Sequence, residues 1–154
     1  MEQTLIILKP DAIQRRLVGR IVQRFEDKGL ALTAMKLMQI PRELAERHYA
    51  PHKGKPFYPG LIEYITSGPV VVMVLSGNRA IDIARTLMGK TFGYEAAPGT
   101  IRGDFGLSRQ MNLMHGSDSV DAAKREIDVY FRTEELVSYE PTLGGWVCAA
   151  DEAR

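Results

Sequence analysis

The sequence has one cysteine and almost no net charge, and each scarcity argues against a class of protein. Cys148 has no second cysteine with which to form an internal disulfide, which favours a reducing compartment such as the cytoplasm. The 20 basic residues are nearly balanced by 19 acidic ones. A protein whose main partner is nucleic acid usually has a basic excess, so we expect any phosphate-bearing ligand to be bound by a few well-placed cations.

Long apolar runs are also missing from the sequence. No stretch approaches the roughly 20 apolar residues of a membrane-spanning helix, so no membrane partner is expected. The apolar run near the N-terminus is short and follows the acidic Glu2, whereas a signal peptide needs cations there. We therefore interpret this run as part of the fold. The length of 154 residues predicts a single domain over residues 1–154, located in the cytoplasm.

Hydrophobic periodicity predicts a fold that alternates strands and helices. Strands are predicted at 4–9, 30–40, 69–77 and 111–115. Helices are predicted at 17–29, 41–49, 79–89 and 119–131, with a further short helix after Pro59 in the segment 56–68. We expect Gly29 to end the first helix, and Asn78 and Ser119 to be helix N-caps. The strand at 69–77 is apolar on both faces, which predicts a central position. Without its additional helices, this order is β-α-β-β-α-β, the ferredoxin-like α+β pattern of an antiparallel sheet with helices on one face.

Two familiar motifs are suggested by the sequence, and we reject both. The stretch "ARTLMGKT" at 84–91 resembles a phosphate-binding P-loop, but Ala84 replaces the first glycine and Gly89 ends a helix instead of preceding one. His48 and His52 have the spacing of metal ligands on a helix, but Pro51 interrupts the turn. We interpret these two histidines as surface or helix-end residues, with no third group of ligands evident.

The third histidine, His115, lies in "NLMHGSDS" between an apolar stretch and a turn. Gly116 would leave room beside the imidazole ring, and the serines and aspartate that follow could fix the backbone. A lone histidine is more often structural than reactive. Three cations make a reactive role for His115 credible. Lys9 lies at the end of the first predicted strand, Arg85 on a predicted helix and Arg102 in the glycine-rich loop. The region 90–110, which includes Arg102, is glycine-rich and is predicted to be a long loop that is either functional or mobile.

Five segments, taken together, resemble the nucleoside diphosphate kinase family. They are "ILKPDAIQRRLVG", "KPFYPGL", "SGPVVVMVL", "PGTIRGDF" and "NLMHGSDS". Their order and spacing match over essentially the whole chain. The resemblance implies the ferredoxin-like fold and a ping-pong exchange of the terminal phosphate between nucleoside triphosphates, such as ATP, and diphosphates, with broad base specificity.

The resemblance also assigns roles to individual residues. His115 is implied to be the nucleophile that becomes a phosphohistidine, with Glu126 on its other ring nitrogen and Tyr49 beside it. The implied phosphate-binding residues are Lys9, Arg85, Arg102 and Thr91; Asn112 and Lys9 are implied to bind the sugar, and Phe57 the base. Mg²⁺ is implied as the cofactor, bound mainly by the nucleotide phosphates, with Asp118 in contact through water at most.

One feature departs from the family pattern. After "GKT" the family usually continues with Asn-Pro, where this chain has Phe92-Gly93. We expect catalysis to be retained, but this loop contributes to subunit contacts in relatives. The tail through Trp146 resembles that of hexameric members, so we predict a homohexamer, with a tetramer as the alternative. A rival interpretation, a catalytically silent nucleotide-binding module, would predict damage at His115, Lys9 or Arg102, and none is present.

Overall fold

The sheet of the computed structural model, which describes residues 1–149, 151 and 152, is built from β1 (Glu2–Leu8), β2 (Ala31–Gln39), β3 (Pro69–Gly77) and β4 (Met114–Gly116). These strands lie in the order β2–β3–β1–β4, and each neighbouring pair is antiparallel. The apolar strand β3 is internal, as predicted. The ferredoxin-like architecture is confirmed.

Helices connect the strands and cover the sheet. They are α1 (Pro10–Gln14), α2 (Val18–Asp27), α3 (Arg42–His48), α4 (Tyr58–Thr66), α5 (Ala80–Met88), α6 (Ile101–Phe105) and α7 (Val120–Tyr130). Short 3₁₀ turns are present at Ala50–His52, Gly93–Glu95, Thr133–Glu135 and Gly144–Trp146. Among the described residues, no helix is long and apolar enough to cross a membrane.

The prediction of helices on one face of the sheet is wrong, because both faces are covered. In β1, Ile6 and Leu8 pack with α2 and α5 on one side, whereas Leu5 and Ile7 pack with α3, α4 and α7 on the other. Successive side chains of a strand point to opposite faces, so the continuous apolar run at residues 5–8 of β1 needs cover on both faces. The sheet is therefore the middle layer of the fold, with helices on both of its faces.

The helix boundaries follow local signals in most cases. Gly29 has φ +94° just after α2, and the Ser119 hydroxyl accepts a hydrogen bond from Ala122 N at 3.2 Å at the start of α7. Both predictions are confirmed. Asn78 does not cap α5, because Arg79, with φ +52°, occupies that position. The Asn78 side chain instead donates a hydrogen bond to Glu152 O at 2.8 Å.

Two short helices were missed by the sequence analysis. The helix α1 starts at Pro10, immediately after β1, and α6 lies inside the region that was predicted to be a loop. Five residues are too few to give a periodic apolar signal. The start of α6 does have a cap, because Thr100 Oγ1 accepts from Gly103 N at 3.0 Å. Arg102 consequently lies on a helix.

The last strand positions the reactive region and is shorter than predicted. It starts at Met114, since Leu113 has φ +73° and cannot be part of the strand. His115 pairs with Ile7 of β1. Lys9, just past the end of β1, donates its backbone N–H to Leu113 O at 2.8 Å. The ends of β1 and β4 therefore bring Lys9 and the His115 segment together.

Candidate active site

An open cleft of about 950 Å³ lies where β1, β4, α5 and α6 meet the start of α4. Residues with every proposed nucleotide-contacting role line it: Lys9, Tyr49, Phe57, Arg85, Thr91, Arg102, Asn112 and His115. Glu126 does not line the cleft and lies behind His115, on α7. The fold therefore brings the predicted site residues into one cavity, although some of them, such as Lys9 and Asn112, are 103 positions apart in the sequence.

His115 is hydrogen-bonded on one side of its ring only, as far as the described residues show. Its Nε2 lies 3.0 Å from Glu126 Oε2, and the Ser117 hydroxyl donates to the same oxygen at 2.6 Å. Burial alone would raise the pKa of Glu126, but the hydrogen bond and charge of His115 lower it to about 2. An ionised carboxylate can only accept hydrogen bonds. In the neutral ring, Nε2 therefore has the proton and Nδ1 has the free lone pair.

The backbone before His115 is constrained. Leu113 is a non-glycine residue at φ +73°, a conformation that costs of order 1–3 kcal/mol and persists only where surrounding contacts impose it. Asp11 Oδ2 accepts a hydrogen bond from Leu113 N at 3.1 Å, and Leu113 O accepts one from Lys9 N. Asp11 also accepts a hydrogen bond from the Tyr64 hydroxyl. These contacts fix the turn that presents His115.

Gly116 has a different role from the one predicted. A Cβ at this position would lie 2.6 Å from Met88 Sδ and 3.1 Å from Ile6 Cδ1. The glycine therefore permits β4 to pack closely against α5 and β1, and the space beside it is already filled. Access to the His115 ring comes from the open side of the cleft instead.

Lys9 is buried at the inner end of the cleft, where its Nζ donates to Asn112 Oδ1 at 2.7 Å. Burial, followed by the nearby positive charge of Arg102, lowers the pKa of Lys9 to about 8. Lys9 is thus a desolvated cation, which attracts an anion more strongly than a solvated surface lysine would.

Arg102 both shapes the cleft and contributes charge. Its guanidinium donates to three backbone carbonyls, those of Asn112 at 3.0 Å, Gly89 at 3.1 Å and Met114 at 2.8 Å. Burial, and then the charge of Arg85, lowers the pKa of Arg102 to about 10. Arg85 itself is exposed on α5. The three cations form one positive wall of the cleft.

His48 corrects the sequence interpretation of a surface histidine. It ends α3, as expected, but its side chain is only 5% exposed. Its ring lies edge-on to the rings of His115 and Tyr49, with centroids 4.6 Å and 4.4 Å away. Burial, and then the positive charge of His115, lowers the pKa of His48 to about 3, so His48 is a neutral ring.

His48 also bears on the metal question. Each of His48, His115 and Glu126 offers one potential ligand atom, and these atoms lie within 4.8 Å of one another. The sequence analysis found no further potential metal ligands near His48, but His115 and Glu126 lie beside it. His52 does not belong to this cluster. The hydrogen bonds from His115 and Ser117 to Glu126 already account for that carboxylate.

Tyr49 lies beside His115, as predicted, with ring centroids 6.1 Å apart. Its hydroxyl is buried and has no hydrogen-bond partner among the described residues, so the predicted contact that stabilises the site is not observed. Burial, and then the negative charge of Glu126, raises the pKa of Tyr49. The phenol therefore remains a neutral donor.

The mouth of the cleft is aromatic. Phe57 is 54% exposed, with its ring centroid 5.5 Å from that of His52 and 5.8 Å from Lys55 Nζ. The alternative that Phe57 is a core residue is wrong. Thr91 is also exposed at the cleft surface.

Sequence reasoning missed two contributions to the site. Ser117, expected only to stabilise a turn, is fully buried, donates to Glu126 and accepts a hydrogen bond from Leu5 N at 3.2 Å. Asp11 acts on the Leu113 turn across 102 positions of sequence. The only sequence feature that could have indicated a role for Asp11 is its position in "KPD", directly after Lys9 and Pro10.

A histidine with a carboxylate on one ring nitrogen and a cleft lined with cations on the other side is the arrangement of a phosphotransferase. A family model described as "Nucleoside diphosphate kinase" matches residues 2–136. The chain belongs to the nucleoside diphosphate kinase family, and the enzyme transfers phosphoryl groups, as the sequence predicted.

Individual relatives agree over nearly the full length. A nucleoside diphosphate kinase from Thermomicrobium roseum is 56% identical over 147 residues, covering 96% of this chain and 99% of the relative. One from Bacillus cereus is 52% identical with the same coverages. The structure of a halophilic nucleoside diphosphate kinase from Halobacterium salinarum, in complex with CDP, superposes with a TM-score of 0.93 at 49% identity, covering 96% of this chain and 98% of that one.

Proposed function

We propose that His115 accepts the terminal phosphate of a nucleoside triphosphate on Nδ1 and then passes it to a nucleoside diphosphate. The observation that carries this proposal is the contact between His115 Nε2 and Glu126, since it leaves Nδ1 as the nitrogen with a free lone pair. Two successive displacements at phosphorus, with Nδ1 as the nucleophile in the first and the leaving group in the second, give the ping-pong kinetics of the family.

In the first half-reaction, the Nδ1 lone pair forms a bond to the γ-phosphorus. The bond between that phosphorus and the β,γ-bridging oxygen breaks, and the nucleoside diphosphate leaves with the electron pair. The ring gains positive charge, which the Glu126 carboxylate stabilises through Nε2–H. The second half-reaction is the reverse, with another diphosphate as the nucleophile.

The cations supply most of the charge stabilisation that phosphoryl transfer requires. Lys9 and Arg102 are buried, so their charges act through a poorly screened medium, and Arg85 and Thr91 complete the phosphate contacts at the exposed edge. Removal of one such donor should cost on the order of a hundredfold in rate. The buried hydroxyl of Tyr49, which has no partner among the described residues, would donate to the phosphoryl group on His115.

The remaining contacts would orient the nucleoside. Phe57 offers an exposed ring on which a base can stack, and stacking tolerates every base. Asn112 and Lys9, already joined at 2.7 Å, would bind the sugar hydroxyls. Broad base specificity follows from a base site that uses a ring face.

The family's reaction uses a divalent metal, and we propose that it is Mg²⁺. Among the described residues that line the cleft, Asp118 is the one carboxylate, which suits a hard cation bound mainly by phosphates and water. When bound, Mg²⁺ neutralises phosphate charge and orients the transferred group. Asp118 would contact its water ligands.

We also propose a homohexamer, with a tetramer as the alternative. Apolar side chains are exposed on the edge strand β2, at Met35 and Leu37, and in the tail, where Trp146 is 90% exposed. Exposed apolar surface and a free sheet edge are typical of subunit interfaces. Sedimentation equilibrium should give about six times the chain mass of 17.2 kDa, and a monomer or a tetramer would overturn the hexamer.

Two further proposals concern the whole chain. We propose one domain over 1–154, of which Ala150, Ala153 and Arg154 lie outside the described residues. We propose a cytoplasmic enzyme, because the single cysteine, Cys148, is a free thiol, as is usual in a reducing compartment.

The nucleophile can be tested by trapping the phosphoenzyme. Incubation with γ-³²P-ATP should give an acid-labile label on the protein, and added GDP should remove the label as GTP. His115→Ala should abolish labelling without loss of the fold, as measured by circular dichroism. His52→Ala, which changes another cleft histidine, should still be labelled. A labelled His115→Ala protein would move the nucleophile elsewhere.

A further inference from the structure

A buried histidine with no hydrogen-bond partner lies directly beside the nucleophile. His48 is 5% exposed, and neither of its ring nitrogens makes a hydrogen bond with the residues that the structure describes. Nearly all buried polar atoms of proteins have a partner, so an exception points to a bound water, a bound ion or a functional role. The mechanism proposed above uses neither nitrogen of His48. These two nitrogens therefore indicate a ligand that the described residues do not supply.

Two further potential metal ligands lie next to His48. One ligand atom from each of His48, His115 and Glu126 lies within 4.8 Å of the other two. The rings of the two histidines are nearly perpendicular, at 84°, with centroids 4.6 Å apart. The hydrogen bonds from His115 and Ser117 both go to Glu126 Oε2, so Oε1 accepts none from the described residues. Two imidazoles and one carboxylate are a donor set that binds Zn²⁺ in proteins.

The geometry of this cluster requires only a small movement to bind an ion. Zn²⁺ binds imidazole nitrogen at about 2.0–2.1 Å, so two donors of a tetrahedral site lie about 3.4 Å apart. The ligand atoms of the cluster, which are separated by up to 4.8 Å, would have to approach one another by up to about 1.4 Å. His48 is the last residue of α3, so its side chain can turn without disturbing a helix interior. Mg²⁺ prefers oxygen ligands and retains its waters, so the ion of the substrate would not compete for two imidazoles.

We propose that His48, His115 and Glu126 form an inhibitory binding site for Zn²⁺. The ion takes the place of the proton on His115 Nε2, between that nitrogen and Glu126. A neutral imidazole has one proton and one lone pair, so a ring that is coordinated through Nε2 has its proton on Nδ1. Nδ1 then has no lone pair with which to attack the γ-phosphorus, and phosphorylation of His115 is blocked. The inhibition rests on the proposed function, whereas the binding of the ion does not.

Titration of the nucleotide-free enzyme with Co²⁺, a coloured substitute for Zn²⁺, tests the binding. The parent protein for all measurements is Cys148→Ser, because this change removes the single thiol of the chain as a competing ligand. We expect visible absorption bands that saturate at one Co²⁺ per chain and disappear when Zn²⁺ displaces the Co²⁺. His48→Phe retains an aromatic ring but removes both nitrogens, and it should weaken Zn²⁺ binding by at least about a hundredfold. Glu126→Gln, which replaces the carboxylate by a neutral amide, should show a comparable loss.

The inhibition is measured separately, as the initial rate of labelling by γ-³²P-ATP in excess Mg²⁺. Free Zn²⁺, buffered at its Kd, should halve the labelling rate of the parent protein, while the Kd for ADP stays unchanged because the cleft remains open. The labelling rate of His48→Phe, compared with its own rate without Zn²⁺, should not respond to the ion. His52→Phe changes a cleft histidine outside the cluster, so it should bind Zn²⁺ as the parent does.

Several results would overturn the inference. A Zn²⁺ Kd above about 1 mM for the parent would leave an enclosed water as the partner of His48. Equal Zn²⁺ affinity in the parent and His48→Phe, or a loss in His52→Phe, would place the ion elsewhere. Binding without slower labelling would refute the block of Nδ1. A protein that is never labelled on His115, even without Zn²⁺, would refute the proposed function, and the Co²⁺ titration would still decide whether the site binds metal.

Discussion

Glu126 Oε2 accepts two hydrogen bonds, from His115 Nε2 at 3.0 Å and from the Ser117 hydroxyl at 2.6 Å. The pair of donors fixes the carboxylate, and the carboxylate fixes the tautomer and the orientation of the ring. Ser117 is in turn fixed by Leu5 N, so the geometry of the nucleophile derives from the buried strand β1. A rigid sheet, not a loop, positions the reactive nitrogen.

Replacement of Glu126 by glutamine should reduce kcat/KM by at least about a hundredfold. The amide is neutral and can present an N–H to the ring, which favours the wrong tautomer and removes the stabilisation of the charged phosphohistidine. Steady-state kinetics with ATP and a diphosphate acceptor measures the loss. Glu134→Gln, which changes an exposed glutamate on the far tail, should have wild-type kinetics. Activity within threefold of wild type in Glu126→Gln would remove the carboxylate from the mechanism.

The burial of Lys9 predicts a loss of activity in mild alkali. Its pKa is lowered to about 8, so the ammonium is present below that pH and is lost as the pH rises through it. Because kcat/KM reports ionisations of the free enzyme, its profile should fall above about pH 8. Lys9→Arg retains its charge in this range, so any residual activity of that variant should not fall there. A wild-type profile that stays flat to pH 10 would contradict a role for the Lys9 charge.

The lowered pKa of the buried His48 predicts that the fold is less stable in acid. Its folded pKa is about 3 and its ordinary value is 6.5, so between these values the unfolded chain binds a proton that the folded protein does not. Stability should therefore decrease as the pH falls from 6.5 towards 3. The charged groups around the ring are His115, Glu126, Lys9 and Arg125.

The substitution His48→Phe removes this titration and retains an aromatic ring. The pH dependence of the unfolding free energy, measured with urea, should become shallower by up to about 1.4 kcal/mol per pH unit. His52→Phe, at a mostly solvated ring, should change the slope much less. An identical slope in His48→Phe and wild type would show that His48 does not contribute.

Phe57 should contribute to binding and not to the fold. Phe57→Ala should weaken nucleotide binding by about 1–3 kcal/mol, the value of one base stack. Since the side chain is 54% exposed, thermal unfolding should be nearly unchanged. A large drop in melting temperature with unchanged affinity would place the ring in a structural role.

Hydrophobic patterns in the sequence predicted those strands and helices whose own residues determine them. The strand at 69–77 was found at its observed limits because its apolar run is continuous and ends at glycine. The cover on both faces of the sheet was missed, although the consecutive apolar residues at the end of β1 contained the signal. The helix α6 has five residues, too few for a period to be recognised.

The site residues likewise fall into those that the sequence identified and those that only the folded structure shows. The resemblance named residues that do line the cleft, and it named Glu126 behind His115. It did not predict that His48 is buried, because burial is created by α7 and β4 packing over the end of α3. The contacts of Ser117 with Leu5 and of Asp11 with Leu113 join residues more than 100 positions apart, and no local spacing encodes them.

The most direct test of the account is the position of the phosphate on the His115 ring. Protein labelled with ¹⁵N-histidine and phosphorylated with ATP can be examined by ³¹P and ¹⁵N NMR, which distinguishes the two phosphohistidine isomers by their couplings. Because Glu126 engages Nε2, we predict phosphorylation at Nδ1 alone. Phosphate on Nε2, or on a residue other than His115, would contradict the mechanism proposed for this enzyme.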